Sequence, residues 1–170
     1  ARKIIPEEKA FESSVYFEDK IALNENISFV GGIRLSAFLA YGEKTVMLYD
    51  PRVTRSESSI TDSLKFGRRE ISEGNFGPEF RASLNIRTTD RSSVKFNYNR
   101  TRQNLHLLSN TVSISPSDTW KLCDYYLKPI TGDQYAAGYY RMLFGNRIEA
   151  SAEIYYKVMR NAFDFKGGTR

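Results

Sequence analysis

The stretch Asn26–Gly42, NISFVGGIRLSAFLAYG, alternates. Ile27, Phe29, Gly31, Ile33, Leu35, Ala37, Leu39 and Tyr41 fall on one side, and Ser28, Gly32, Arg34 and Ser36 fall on the other together with Val30 and Phe38. A period of two sustained this long reads as one extended β-strand, because successive strand side chains point to opposite faces. Working outward, residues 78–88 separate completely, with Phe80, Ala82, Leu84 and Ile86 against Glu79, Arg81, Ser83, Asn85 and Arg87. Residues 92–102 set Val94, Phe96 and Tyr98 against Ser93, Lys95, Asn97 and Asn99. Residues 147–159 set Ile148, Ala150, Ala152, Ile154, Tyr156 and Val158 against Arg147, Glu149, Ser151, Glu153 and Lys157.

Two further strands are less regular. Residues 13–24 put Val15, Phe17, Ile21 and Leu23 on the apolar side, but Asp19 shares it, and a bulge near Glu18 is expected to relieve the conflict. Residues 134–144 read best with Tyr140, Met142 and Phe144 on the apolar side, which sends Arg141 to the polar one. The connections then alternate strictly. Short turns follow the first, third and fifth strands, at Asn24–Asn26, Thr89–Arg91 and Gly145–Asn146. Long loops, 43–77 and 103–133, follow the second and fourth, well beyond ordinary connection lengths. The expected fold is all-β: an antiparallel up-and-down meander of about six long strands with its short turns at one end and its long loops at the other.

Composition narrows what such a sheet can be. In 170 residues, 41% apolar and 26% charged, no apolar run is long enough for a transmembrane helix, and the mean hydropathy is -0.48. That closes the helical route into a membrane and leaves the strand route open. A single cysteine, Cys123, excludes an intramolecular disulfide framework; with a single histidine, His106, a Cys/His zinc site has no ligand set. No catalytic residue, cofactor site or metal site is assigned, and nothing in the chain assembles the constellation of an enzyme. The net charge of +5 raises nucleic acid as a partner, but strand-borne charges of both signs share the polar faces, whereas a phosphate-binding surface concentrates Lys and Arg. The chain opens Ala-Arg-Lys, which reads as either a processed N-terminus or a piece of a longer protein.

A sheet with one apolar face needs a covering layer, and the sequence offers no long amphipathic helix to supply one. The single helix candidate is Ser117–Leu127, capped by Ser117 or Asp118. A barrel wall in a membrane solves the problem otherwise: the apolar face meets lipid, the polar face lines a wet lumen, turns are tight on the periplasmic side and loops long outside. Tyr41 and Tyr98, at the long-loop ends of their strands, suit an aromatic girdle. About six strands cannot close a wide lumen, so the chain reads as an arc of a larger barrel.

Particular words in the sequence carry a resemblance. YNRTRQNLHLLSN (Tyr98–Asn110), SDTW (Ser117–Trp120), Lys128-Pro129, DQY (Asp133–Tyr135) and EIYYK (Glu153–Lys157) occur in the order found in TonB-dependent outer-membrane receptors of Bacteroidetes type. VYFEDKIAL with GGIRLSAF, then YDPR and GPEFRASL, are similar to the preceding stretch of that barrel. The resemblance covers nearly the whole chain. It implies a bacterial outer-membrane location and a parent barrel of about 22 strands, plugged by a separate N-terminal domain. Such a parent is driven by TonB and imports a nutrient ligand such as a metal chelate, cobalamin, an oligosaccharide or a peptide. The partners implied are outer-membrane lipid, the remaining barrel and plug, and TonB through the parent's N-terminal region. The plug, a TonB box and a recognisable closing strand are not found in these residues.

Individual residues divide between functional and plain readings. Trp120, Tyr125 and Tyr126 are the candidate ligand contacts in the second long loop, since aromatic faces stack on sugars and chelates; packing of the loop on itself is the alternative. His106 reads as a polar loop or rim residue. Cys123 reads as an incidental free thiol, with no base at usable sequence spacing. Glu149 and Glu153 share a face about 13 Å apart, too far for a glycosidase pair. Gly31-Gly32 and Gly167-Gly168 lack a phosphate-loop context and read as strand flexibility and a chain-end turn. The competing function is a soluble all-β ligand- or glycan-binding module, which needs extra strands inside the long loops, for example at Thr45–Tyr49 and Thr111–Ser115.

Overall fold

The computed structural model describes residues 7–108 and 119–162. Ten strands follow in chain order: β1 (Lys9–Ala22), β2 (Ile27–Tyr41), β3 (Lys44–Tyr49), β4 (Ile60–Phe66), β5 (Ile71–Thr89), β6 (Ser92–Gln103), β7 (Leu105–Leu108), β8 (Thr119–Leu122), β9 (Ile130–Leu143) and β10 (Ile148–Arg160). The long strands form one six-stranded antiparallel sheet in the order β1-β2-β5-β6-β9-β10, an up-and-down meander. β3 and β4 pair in a hairpin within the first long connection, and β7 and β8 pair within the second.

The turns explain the short-turn end. Asn24 folds its side chain back so that Oδ1 accepts from the backbone N–H groups of Asn26 and Ile27, each at 2.8 Å, an Asx turn that starts β2. Between β9 and β10, Phe144, Gly145 and Asn146 all take positive φ, at 50°, 67° and 69°. For Phe144 that conformation is unfavourable, and the tight reversal imposes it. At the β5–β6 turn the hydroxyls of Thr89 and Ser92 meet at 2.6 Å beside a register shift between Arg87 and Thr89.

Directly opposed residues in an antiparallel ladder share a face, so the register assigns every side chain. One row runs Ile21, Phe29, Leu84, Phe96, Ala137 and Ile154, apolar on all six strands. The opposite face carries a row of Glu18, Gly32, Arg81, Asn99, Gln134 and Lys157. Among the described residues the buried apolar side chains are few: Phe38, Ala40, Val46 and Cys123. Val15, Phe17, Leu35, Phe96 and Ile154 stay exposed, Ile154 at 73%. The apolar face is bare.

Several expectations are corrected. No bulge relieves Asp19: the β1–β2 register is unbroken from Lys9 to Ala22, and Asp19 lies on the apolar face opposite Gly31. The facing of β9 is reversed. Tyr135, Ala137, Tyr139 and Arg141 join the apolar side, while Tyr140 lies opposite Ser93 and Ser151 on the polar side. There Tyr140 donates to Glu153, and the Lys95 ammonium sits 4.3 Å from its ring centre. Gly138 makes this possible, since a Cβ there would meet the Tyr140 ring at 2.9 Å. Gly31 works the same way on the other face, where the Phe29 ring lies 2.7 Å from the position of a Cβ. The glycine pair thus gives room for the Phe29 ring and the Glu18 side chain within a continuous ladder.

The long loops are also more ordered than expected. β5 starts at Ile71 and β9 at Ile130, inside segments read as loop. Pro78 disguised the first extension. It lies beyond the end of the β5–β6 ladder at Arg81–Asn99, where β5 pairs with β2 alone and a missing N–H is tolerated. The helix expected over Ser117–Leu127 is replaced by strand β8 at Thr119–Leu122; Ser117 and Asp118 lie outside the described residues, as do Thr111–Ser115 and Gly167-Gly168.

Candidate functional site

The β7–β8 hairpin leaves the sheet between β6 and β9 but lands on the polar face of β1 and β2. Cys123, 1% exposed, packs with Phe38 and Ala40 of β2, and Ala10 and Leu122 close around them. This explains why Phe38 breaks the polar side of the alternation: it is the seat of the hairpin. Polar links surround that seat. The Glu8 carboxylate accepts from Lys121 Nζ and from the Leu122 amide, both at 2.9 Å. Asn104 Nδ2 donates to Glu12 at 3.3 Å, and Lys128 pairs with Glu73 at 3.2 Å.

Asp124 is the hub of the loop that follows. Its carboxylate accepts from the amides of Tyr126 and Leu127, each at 3.0 Å, and pairs with Lys44 and Lys121, each at 3.3 Å. Burial raises the Asp124 pKa, but the Tyr126 amide and the two ammonium groups outweigh it and hold the carboxyl below its ordinary value. For Lys121, burial pulls the pKa down while Glu8 and Asp124 push it above its ordinary value.

The candidate aromatics separate in role. Tyr126 is held from all sides: its hydroxyl donates to the Met47 carbonyl at 2.8 Å, its ring lies 5.9 Å from Tyr49, and the Arg55 guanidinium sits 4.1 Å over it. It fastens the second loop to the β3–β4 hairpin. Tyr125 meets Tyr126 edge to face at 4.9 Å and is 41% exposed. Trp120, 59% exposed, stands on β8 opposite Leu107. The structure therefore brings Tyr125 and Tyr126 together and leaves Trp120 and Tyr125 with open faces at the rim.

His106 and Cys123 stand apart in the sequence, and the structure joins them. They are 17 residues apart in sequence, yet Nε2 lies 3.1 Å from Sγ and both side chains are 1% exposed. The base that sequence spacing did not reveal is present because the hairpin folds it back. Burial pushes the Cys123 thiol up to about 12 and pulls the His106 imidazole below its ordinary value, although Asp124 acts on the histidine in the other direction. A protonated thiol beside a neutral imidazole is a packing pair, not an activated nucleophile.

Below the rim, the polar face presents crossed charges: Arg34 to Glu79 at 3.9 Å and Arg81 to Glu18 at 3.8 Å. Both pairs are solvated enough to be worth at most about 1 kcal/mol each. They border a depression of about 470 Å³ lined by Tyr16, Glu18, Arg34, Glu79, Arg81 and Asn99. Glu149 and Glu153 lie on the same face, across from Met142 and Gly138. Among the described residues no group of three or more His, Cys, Asp and Glu is placed to hold a metal ion. Among the described residues no helix is long and apolar enough to cross a membrane, which says nothing of strands. No protein family, curated protein or solved structure matches the chain.

Proposed function

We propose that the chain is an arc of a bacterial outer-membrane β-barrel, a segment of the wall of a TonB-dependent receptor that imports a nutrient ligand: a metal chelate, cobalamin, an oligosaccharide or a peptide. The observation that carries this reading is the bare apolar face spanning six strands, for which the described residues supply no covering layer. Lipid is the partner that needs no covering layer. The remaining wall, the plug and TonB are the parent's contributions, the last reached through an N-terminal region outside this chain.

The shape of the apolar band supports it. On β10 the band runs from Ile148 to Val158, whereas on β1 and the residue that follows it the band runs from Leu23 to Phe11. In register, Ile154 aligns with Ile21 and Tyr156 with Asp19, so the band on β1 is displaced toward the long-loop end. The displacement is about five residues at about 3.3 Å each, across five inter-strand spacings of about 4.8 Å, a slope of about 35°. Strands of a membrane barrel tilt by about 35–45°, and a level bilayer crossing tilted strands leaves such a diagonal. Tyr98, Tyr135 and Tyr156, adjacent in one row, lie at or within two residues of its long-loop border, as an aromatic girdle lies near an interface. Arg141 lies one row from the short-turn border, where its long side chain reaches headgroups.

Under this reading the rim, with Trp120 and Tyr125 open on the second loop, is the external ligand-facing surface, and the crossed charges line the hydrated lumen. The test is barrel assembly of the full-length protein. Lys at Leu35 or at Ile154 is expected to cost about 2–4 kcal/mol or block insertion, and Lys at Ser151 to cost little; the reverse order overturns the facing.

The soluble-module reading gains one observation, since Thr45–Tyr49 does belong to a strand, β3. The hairpins, however, dock at the rim and on the polar face, over Phe38 and Ala40, and leave the apolar face open.

A further inference from the structure

Resting on the barrel reading, we infer that the outer wall at β6, β9 and β10 carries a built site for a phosphate-bearing lipid of the outer leaflet. Two adjoining features carry it. The first is an apolar depression of about 650 Å³, floored by Ala82 and Ala137 and walled by Leu84, Phe96 and Ile154. Small residues between large ones leave an apolar trough, and the Tyr98, Tyr135 and Tyr156 rings border it on the long-loop side.

The second feature begins where the rings end. Asp133, 6% exposed, accepts a hydrogen bond from the Tyr98 hydroxyl at 2.9 Å, pairs with Arg100 Nε at 3.6 Å and bonds Arg160 Nη1. By register these groups lie on the apolar face, where charge is otherwise sparse. Two guanidinium cations share one carboxylate, so the cluster keeps a net positive charge. The side chains of Arg100 and Arg160 remain 36% and 56% exposed, while that of Asp133 is 9% exposed. Asp133 and Tyr98 therefore hold the two arginines in place without neutralising both, and a guanidinium offers phosphate a fork of N–H donors.

The spacing fits one amphiphile. From Ile154 to Arg160 is six residues along β10, about 20 Å at strand rise, against about 15 Å for one leaflet's hydrocarbon. An acyl chain lying in the trough thus brings its headgroup to the arginines.

The experiment uses the full-length barrel purified in detergent, with bisphosphorylated lipid A as probe, followed by native mass spectrometry. Its dephosphorylated form and inorganic phosphate serve as comparisons. Retention of the bisphosphorylated form is expected, weakened at least tenfold by the double variant R100Q/R160Q and also by A137W, which fills the trough but leaves the arginines. The dephosphorylated form is expected to bind at least tenfold more weakly, and inorganic phosphate not to compete. Equal binding of the two lipid forms, or no effect of R100Q/R160Q, overturns the headgroup site. Effective competition by phosphate with no effect of A137W assigns the cluster to free phosphate and overturns the lipid. Heat-modifiable migration on gels reports assembly of every variant: an assembled wild type lacking selectivity sinks this inference alone, whereas a wild type that never enters a membrane sinks the barrel reading with it.

Discussion

Cys123 and Asp124 are adjacent in sequence and titrate in opposite senses, and both hold the rim hairpin. The Cys123 thiol has its folded pKa raised from 9.0 to about 12 by burial, so its contribution to stability is complete below pH 9 and fades as pH rises from there toward 12. At pH 9 an alkylating reagent is expected to modify native Cys123 on the order of 100-fold more slowly than the urea-unfolded chain; equal rates would show that the seat is open. Asp124 has its folded pKa lowered below the ordinary 3.8, so its contribution is present above that value and is lost as pH falls through the folded one. Asp124→Ala should cost about 1–3 kcal/mol, measured as faster hydrogen exchange at the Cys123 amide, which donates to the Asn104 carbonyl at 2.9 Å. None of this was legible in single residues. Cys123 and His106 are unremarkable until a hairpin brings them together, and no local spacing encodes that approach. Tyr126, by contrast, already carried the alternative of loop packing that its contacts now describe.

Among the elements, the strands that were plain in sequence are those with sustained alternation, β2, β6, β10 and the 78–88 stretch of β5. β9 failed for a physical reason. Its pattern holds tyrosines on both sides, and Arg141 was sent to the polar face on the assumption that charge avoids an apolar one. A long arginine near a border breaks that assumption, as its stem can lie on apolar surface while its head reaches water. The corrected facing is testable at two neighbouring alanines. On the proposed barrel reading, Ala137→Lys in the full-length protein is expected to lose about 2–4 kcal/mol of stability and Ala136→Lys to stay near neutral, read by urea titration in detergent or liposomes. Of the β3–β4 and β7–β8 hairpins only β3 shows in the sequence, as Thr45–Tyr49 in the soluble alternative, because their strands are short, six and seven residues in one pair and four each in the other. Runs of that length carry too few periods to be told from loop.

For the whole molecule, the meander was readable because turn lengths and alternation report the same topology independently. The candidate surface formed by the loops was not, since they settle against distant strands: Glu8 meets Lys121 across 113 positions of sequence. With both outer strands β1 and β10 at the margins of the sheet and one face bare, the isolated chain in detergent-free buffer is expected to elute as aggregate on size exclusion. Detergent should restore a defined species; a monodisperse monomer without it would favour the soluble module. The rim hairpin adds a mechanical consequence. It departs from β6 and is fastened to β1, three strand spacings away, about 14 Å along the sheet. A tie between two points of a flexible strip is the string of a bow: its length sets how strongly the strip bends. The second loop thereby acts as a gauge of curvature at the long-loop end of the sheet, its length set by the span from the end of β6 to the links that Asn104 and Lys121 make with Glu12 and Glu8.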